Sequence, residues 1–392
     1  MSGNAPYSFY EFFAGGGMAR LGLGTHWSCS FANDFDPVKS SSYLANFPES
    51  SEHFNQGDVW KVKARDLPGQ AVLAWASSPC QDFSLAGTRA GLSGGRSSAF
   101  FGFWRLVQEL NAEDRAPAIV VVENVVGLLT SHAGEDFAAL CQSLFEEGYW
   151  FGAVEIDAGR FLPQSRPRVF VIASKSTPPE TLSLIEPKPP LHSPRMVLAY
   201  EGLSDAAKRR WVWWKLPYPP SRNVGLASIL EPDDQVSWFD PGRAGRLLSI
   251  LHPRHKAKLD VALERDSRTV GTIFRRMRVE AGRKVQRAEL NFSGFAGCLR
   301  VPRGGSSQQF LVVVENGTVK IRGLTAREAF NLMGLPPDYL LPRSRTAALS
   351  IAGDGVATPV VRYLSDSLLI PLAQRHSNCL ETTTIVGALS MK

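Results

Sequence analysis

Three uninterrupted apolar runs constrain this chain more than anything else in it. Each abuts residues that can do chemistry. Ala71-Val72-Leu73-Ala74-Trp75-Ala76 leads into Ser77-Ser78-Pro79-Cys80, Ala118-Ile119-Val120-Val121-Val122 leads into Glu123-Asn124-Val125, and Val169-Phe170-Val171-Ile172-Ala173 follows Gln164-Ser165-Arg166-Pro167-Arg168. Runs of five or six residues with no polar alternation read as strands buried on both faces, the signature of a sheet covered by helices. Pro79 stops its strand, because proline cannot donate to a sheet ladder. Cys80 and Glu123 then fall at the carboxyl ends of strands, where open α/β sheets bind their ligands. A thiolate is a strong nucleophile, but a free cysteine is more often buried and inert. Glu123 reads equally as the cap of a following helix. Arg166 and Arg168 alternate along an extended segment, so they share one face; they grip a phosphate or a base carbonyl, or are simply surface arginines.

Upstream, residues 7–14 read as a first strand followed by Gly15-Gly16-Gly17, and residues 28–33 as a second strand followed by Asp34-Phe35-Asp36. Glycines after a strand allow a tight turn and close approach of a ligand, and an acid about twenty residues on is where a Rossmann-like fold holds a ribose hydroxyl. Gly57-Asp58 adds a third acid at a strand-to-loop junction. Each acid also suits a helix or turn cap, but their order favours a nucleoside-bearing cofactor. Residues 85–99, rich in Gly and Ser, read as a lid loop beside Cys80, and residues 100–110 as a helix.

Beyond residue 174 the α/β rhythm fades into Pro-rich linkers. The chain has 392 residues and a net charge of +6, yet residues 241–303 hold 15 Lys/Arg against 5 Asp/Glu, which leaves the remainder at −4. A basic segment on a mildly acidic body suits a polyanion such as nucleic acid, or is a solvated surface. Trp211, Trp213, Trp214 and Trp238 read as the core of a separate small domain. Residues 310–314 and 318–321 flank Asn316-Gly317 as a hairpin, and Thr325 with Glu328 forms a capping box. Val360 to Leu372 reads as an apolar helix. Five cysteines with no CxxC spacing argue for a reducing compartment and against a zinc site or disulfide framework. No apolar run is long enough for a membrane span, and residues 1–10 lack a signal-peptide pattern.

Taken in order, these residues resemble the DNA (cytosine-5) methyltransferases. Phe13-Ala14-Gly15-Gly16-Gly17 is similar to the family's cofactor loop and Pro79-Cys80-Gln81 to its catalytic motif. Glu123-Asn124-Val125, Gln164-x-Arg166-x-Arg168, the Arg322-x-Leu324-Thr325 helix and Gly353-Asp354-Gly355-Val356 are similar to its later motifs. Asp354 stands where the family commonly has Asn, and Met18 where Gly is frequent. The resemblance implies an α/β fold. It comprises a Rossmann-like, class I S-adenosylmethionine-dependent methyltransferase domain with a mixed sheet (1–185 and 320–392) and a small irregular or β-rich target recognition domain (186–319).

The same resemblance implies a sequence-specific DNA cytosine-5 methyltransferase of the bacterial restriction-modification type. It is expected to be a cytoplasmic monomer, off membranes, that acts on double-stranded DNA, with a cognate restriction endonuclease as a further partner. Cys80 would add to carbon 6 of a flipped-out cytosine, with Glu123 at ring nitrogen 3 and Arg166 and Arg168 on the base carbonyl or phosphate. Phe13, Ala14, Gly15, Gly17, Asp34, Phe35, Asp58, Pro79, Asp354 and Val356 would hold S-adenosylmethionine, released as S-adenosylhomocysteine. Gln81, Ser84, Arg96, Gln164, Arg275, Arg276 and Arg303 would contact DNA. Base-modifying enzymes must swing their target out of the stack, and arginines on guanine are the leading readers of flanking sequence. An RNA cytosine-5 methyltransferase and a catalytically silent DNA-binding regulator are the alternatives.

Overall fold

The apolar runs become neighbouring strands of one sheet. In the computed structural model, which describes residues 7–79, 99–280, 282–300 and 308–378, the strands are β1 (Tyr7–Phe12), β2 (Trp27–Asp34), β3 (Phe54–Gln56), β4 (Leu73–Ala76), β5 (Ile119–Val125), β6 (Trp150–Asp157) and β7 (Pro167–Ser174). They lie in the order β3-β2-β1-β4-β5-β7-β6. The pairs from β3 to β5 are parallel, and β7 runs antiparallel to β5. This is the mixed sheet of an α/β methyltransferase fold. The chain moves from β1 through β2 to β3 on one side, then returns to place β4 on the other side of β1. That reversal makes the carboxyl ends of β1 and β4 a topological switch point, the crevice where such sheets bind ligands.

Helices α1 (Met18–Leu23), α2 (Pro37–Asn46), α3 (Ala99–Ala112) and α4 (Glu135–Glu146) follow strands or loops of this sheet. In α3, Phe100, Phe103, Trp104 and Val107 are buried at the i, i+3, i+4, i+7 spacing of a core-facing stripe. Phe103 meets Phe12 of β1 with ring centroids 4.9 Å apart, and truncating such a ring costs about 3–5 kcal/mol. The sheet belongs to a first compact unit, which takes residues up to Ile156, Pro167–Pro219 and residues from Val360. Helix α5 (Pro194–Glu201), the short α6 (Asp205–Lys208) and a small ribbon of β8 (Ser183–Leu184) with β9 (Trp213–Trp214) complete its middle segment.

Three of the four tryptophans expected in the small domain lie in this first unit instead. Trp214 is buried and its indole N–H donates to the Ile172 carbonyl of β7 at 3.2 Å. Trp211 packs on Phe137, Phe151 and Tyr200. The Val212 N–H donates to the Phe151 carbonyl of β6 at 2.7 Å and ties this segment to the seven-stranded sheet, and Trp238 alone of the four lies in the other unit.

The second unit comprises Asp157–Arg166 and Pro220–Pro359. It holds helices α7 (Pro241–Ser249) and α8 (Pro253–Leu263) and a four-stranded antiparallel sheet. Its strands β10 (Thr269–Glu280), β11 (Arg283–Asn291), β12 (Gln309–Glu315) and β13 (Thr318–Gly323) lie in the order β11-β10-β12-β13. Asn316 and Gly317 have φ of +50° and +67°, as the Asn-Gly hairpin turn requires. Helices α9 (Ala326–Asn331) and α10 (Arg345–Asp354) follow. Thr325 and Glu328 form the expected capping box, and Arg322 adds a fully buried bidentate pair to Glu328 at 2.7 and 2.6 Å. Helix α11 (Thr358–Leu364) runs into a π-turn over Ser365–Leu369. The Ser365 hydroxyl there donates to the Leu23 carbonyl at 3.1 Å. Among the described residues, no helix is long and apolar enough to cross a membrane.

Candidate active site and nucleic-acid interface

Strand register brings four carboxyl ends level. Phe12 of β1 faces Asn33 of β2 and Ala76 of β4, and Ala76 faces Val122 of β5. The residues just beyond, Phe13 to Gly15, Asp34, Ser77 to Pro79 and Glu123, therefore form one row along the sheet edge. The continuous apolar runs produce this row, because strands buried on both faces must end together where the sheet meets solvent.

On the β1–β2 side the turn is left-handed at Phe13, Gly15 and Gly17, with φ of +57°, +59° and +77°. A Cβ added at Gly15 would meet nothing within 4 Å, whereas one at Gly17 would strike the Phe47 ring at 2.3 Å. Gly15 thus leaves open space at the switch point, and Gly17 is required for packing. Asp34 is buried, and burial raises its carboxyl above the ordinary range despite the N–H groups around it. It accepts from the Gly15 and Asp36 N–H groups, each at 2.8 Å, which fixes the turn to the end of β2. Phe35, the next residue, is 74% exposed. Asp58 caps the short helical turn that follows it, accepting from the Trp60 N–H at 3.0 Å.

Behind this turn lies a buried polar cluster that sequence reasoning missed. Glu11 of β1 accepts from the Tyr43 hydroxyl at 3.0 Å and from the Arg20 N–H at 3.3 Å. Burial pushes its carboxyl up to about 7, against the opposing pull of the Arg20 charge. Cys29 lies 3.6 Å from the same Tyr43 oxygen, and burial pushes its thiol up to about 12, far from any nucleophilic role.

On the β4–β5 side, Glu123 and Arg168 form a buried ion pair, Oε1 to Nε 3.0 Å. They are neighbours because antiparallel β7 brings Arg168 opposite Val125 at the end of β5. Asn124 donates through Nδ2 to the Ser78 carbonyl at 3.0 Å and hydroxyl at 3.2 Å. It thereby pins the chain two residues short of Cys80. Neither Ser78 nor Asn124 carried a signal beyond its motif neighbours. Cys80 and the four DNA-contact candidates Gln81, Ser84, Arg96 and Arg303, as well as most of the lid expected over 85–99, lie outside the described residues.

The expectation that Arg166 and Arg168 act together is not what their partners show. Strand β7 begins at Pro167, so the two side chains do not share a strand face. Arg166 is 1% exposed, and its guanidinium donates to the carbonyls of Leu299, Gly353 and Gly355 at 3.1, 2.8 and 2.5 Å and to the Cys298 sulfur at 3.3 Å. It clasps the segments around 299 and 354 within the second unit. Asp354, at the end of α10, is exposed between two of its acceptors, and Val356 is buried. Gln164 is also corrected: it is fully buried, donating to the Leu332 carbonyl at 2.7 Å and accepting from the Leu299 N–H at 2.9 Å. A side chain so enclosed is not presented to DNA.

Arg275 and Arg276 fall in β10, at the start of its long hairpin with β11. Arg275 lies over the Phe310 ring at 5.9 Å, and Arg276 is exposed.

A mixed sheet with a glycine turn at its switch point and a largely buried Glu–Arg pair at the next strand end is the arrangement of the α/β methyltransferase class. The model of the C-5 cytosine-specific DNA methylases matches residues 7–235 and 245–369, nearly the whole chain. The chain belongs to this family, and its reaction class is cytosine-5 methylation of DNA. It is 26% identical over 366 residues to the type II methyltransferase M.BsuFI of Bacillus subtilis, covering 92% of this chain and 72% of the relative. It is 25% identical over 371 residues to M1.ScrFI of Lactococcus lactis subsp. cremoris, covering 93% and 78%. The fold is similar to that of the S. pombe Dnmt2 methyltransferase, with TM-score 0.56 and 17% identity over 93% of this chain and 99% of that one.

Proposed function

We propose that the row of strand ends is the catalytic centre for methylation of a flipped-out cytosine in duplex DNA, with Cys80 as nucleophile. The Glu123–Arg168 pair carries this reading, since it sets a carboxyl group and a guanidinium beside the end of β4 in a site nearly closed to water. Carbon 5 of cytosine is a poor nucleophile in the intact aromatic ring. Addition of the Cys80 thiolate to carbon 6 breaks the π component of the 5,6 double bond, whose electrons shift toward ring nitrogen 3, and makes carbon 5 an enamine terminus, splitting one hard step into easier ones. Glu123 delivers a proton to ring nitrogen 3, so that charge does not build up there. Arg168 orients Glu123 and stabilises the base carbonyl oxygen as charge develops. Asn124, through Ser78, fixes the approach of the chain to Cys80.

The open space over Gly15 and the exposed Phe35 ring support S-adenosylmethionine as the ligand of the β1–β2 edge. When bound, this cofactor supplies an electrophilic methyl group from its sulfonium. Asp34 would hold the ribose: each of its oxygens accepts one backbone N–H and keeps a further lone pair. Phe35 would cover the adenine face and Asp58 accept from its amine. The second unit, with its basic segment, would supply duplex contacts, Arg275 and Arg276 among them, and sequence choice. A restriction endonuclease of the same site specificity is the partner that such a reading calls for.

The test is transfer of labelled methyl groups to duplex DNA and, separately, to total tRNA, by the full chain and by Cys80→Ser. Transfer to DNA that is abolished in Cys80→Ser, with DNA binding kept, is expected. Equal methylation by the variant refutes the role of Cys80, and transfer to tRNA alone refutes the DNA reading.

A further inference from the structure

The far half of the β10–β11 hairpin is exposed over residues 276–279 and 282–284. Strand β12 pairs with β10 only over Thr269 to Phe274, whereas β11 pairs with it as far as Glu280. From Arg275 outward the hairpin therefore continues past the four-stranded sheet as a two-stranded ribbon. A ribbon of this kind fits the DNA major groove, about 12 Å wide. Between residues 275 and 287 it carries six Lys/Arg (275, 276, 278, 283, 284, 287) and one acid, Glu280. That balance is complementary to a polyphosphate backbone.

Its two faces differ. Strand alternation and the register place Phe274, Arg276, Arg278 and Glu280 on one face, with their partners Glu289, Arg287, Val285 and Arg283. The other face carries Arg275, Met277 and Val279 opposite Ala288, Gln286 and Lys284. On the first face Glu289 sits at the root of the ribbon, its side chain 11% exposed. It accepts from Arg278 Nε at 2.8 Å and from Arg278 Nη2, and its second oxygen lies 3.9 Å from Arg276 Nε. The two guanidinium heads themselves are about half exposed.

An exposed Arg–carboxylate pair contributes little to stability. Its effect here is orientation. Engaged side-on through Nε and Nη2, a guanidinium keeps its Nη1 hydrogens and one Nη2 hydrogen pointing outward, the fork that matches guanine O6 and N7. Charge shared with Glu289 also weakens undirected attraction to phosphates.

We propose that Arg276 and Arg278 are the guanine-reading side chains of this enzyme, with Glu289 as the positioning residue that holds Arg278 side-on through hydrogen bonds and Arg276 by charge. The inference rests on the duplex-DNA reading above. The full-length protein methylates a library of duplexes with randomised bases around a central cytosine, and base-resolution sequencing gives the site profile. The wild type shows guanine at fixed flanking positions. In Arg278→Lys, discrimination for guanine at one position falls about 5- to 150-fold, and the salt dependence of binding is unchanged because the charge is kept. Arg276→Lys relaxes a different position. Glu289→Gln relaxes the same positions with no change in melting temperature, which a merely structural role would not produce. Val279→Ser, on the opposite face, leaves the profile intact. A wild-type profile kept by both lysine variants, or relaxed by Val279→Ser alone, overturns the assignment while the methyltransferase reading stands. Methylation of tRNA and no duplex by the wild type overturns both.

Discussion

Arg168 and Arg166 lie two residues apart and are both nearly closed to solvent, yet they belong to different kinds of site. Arg168 ends on a carboxylate, Glu123, at the edge of the seven-stranded sheet. Arg166 ends on three backbone carbonyls and a sulfur inside the second unit. A guanidinium whose Nη groups are engaged by carbonyls meets groups that cannot change protonation, so it holds segments of chain together. A guanidinium against a carboxylate at a strand end keeps donors and a proton carrier beside the space where a base would enter. What a buried arginine does is set by what it meets, more than by how deeply it lies.

Exchanging each arginine for lysine separates the two roles, since lysine keeps the charge but not the fork. Arg166→Lys is expected to lower the stability of the second unit by about 3 kcal/mol or more, because several buried carbonyls lose their donors. Arg168→Lys is expected to change stability far less and to reduce methyl transfer about 100-fold. Denaturant melts and single-turnover transfer rates on both variants give the comparison, and an exchange of the two outcomes would overturn it.

A smaller effect sharpens the sheet-edge side. Asn124→Ala removes both bonds to Ser78, and transfer is expected to slow by about 10- to 100-fold through misplacement of the chain before Cys80. Cofactor binding, measured by calorimetry, should be unchanged. An equal loss of cofactor affinity would mean that Asn124 supports the whole edge and not the β4 end alone.

The smallest effect concerns the cluster behind the glycine turn. Burial raises Glu11 from an ordinary carboxyl value to about 7 in the folded chain. The folded state therefore holds its proton more tightly than the unfolded state does. This contribution to stability is full below about pH 4.5 and is lost as pH rises through 7. Glu11→Gln should flatten that part of the melting-temperature profile. An unchanged decline between pH 5 and 8 would assign the titration to another group.

The sheet-edge residues were legible because uninterrupted apolar strands end abruptly in polar residues, and Pro79 marks one such end. Glu123 could be placed from that alone, whereas Asp34 was legible from its distance to the glycine turn and Asp58 from the Gly57-Asp58 junction. Arg166 was not, because alternation along an extended segment assumes a single strand, and Pro167 is where β7 starts. Gln164 looked available for DNA because its partners, Leu299 and Leu332, lie more than a hundred residues away. By composition the tryptophans at 211, 213 and 214 belong with the small domain, but the bridge from Trp211 to Phe151 and the Trp214 bond to Ile172 tie this segment to the large one. The Asn316-Gly317 hairpin carried a turn signal, whereas the sequence between Glu280 and Arg283 carries none, so the protruding ribbon had no mark in the sequence.

The central claim is that a sulfur joins the pyrimidine ring before the ring accepts a carbon. Fluorine at carbon 5 cannot leave as a proton does, so a duplex bearing 5-fluorocytosine at the target position blocks release after methyl transfer. With the methyl donor present, the full chain should become covalently joined to this duplex, seen as a denaturation-resistant band and as an intact mass carrying the DNA. Cys80→Ser should give none. A wild-type enzyme that methylates the unfluorinated site yet never becomes trapped on the fluorinated one would contradict the account.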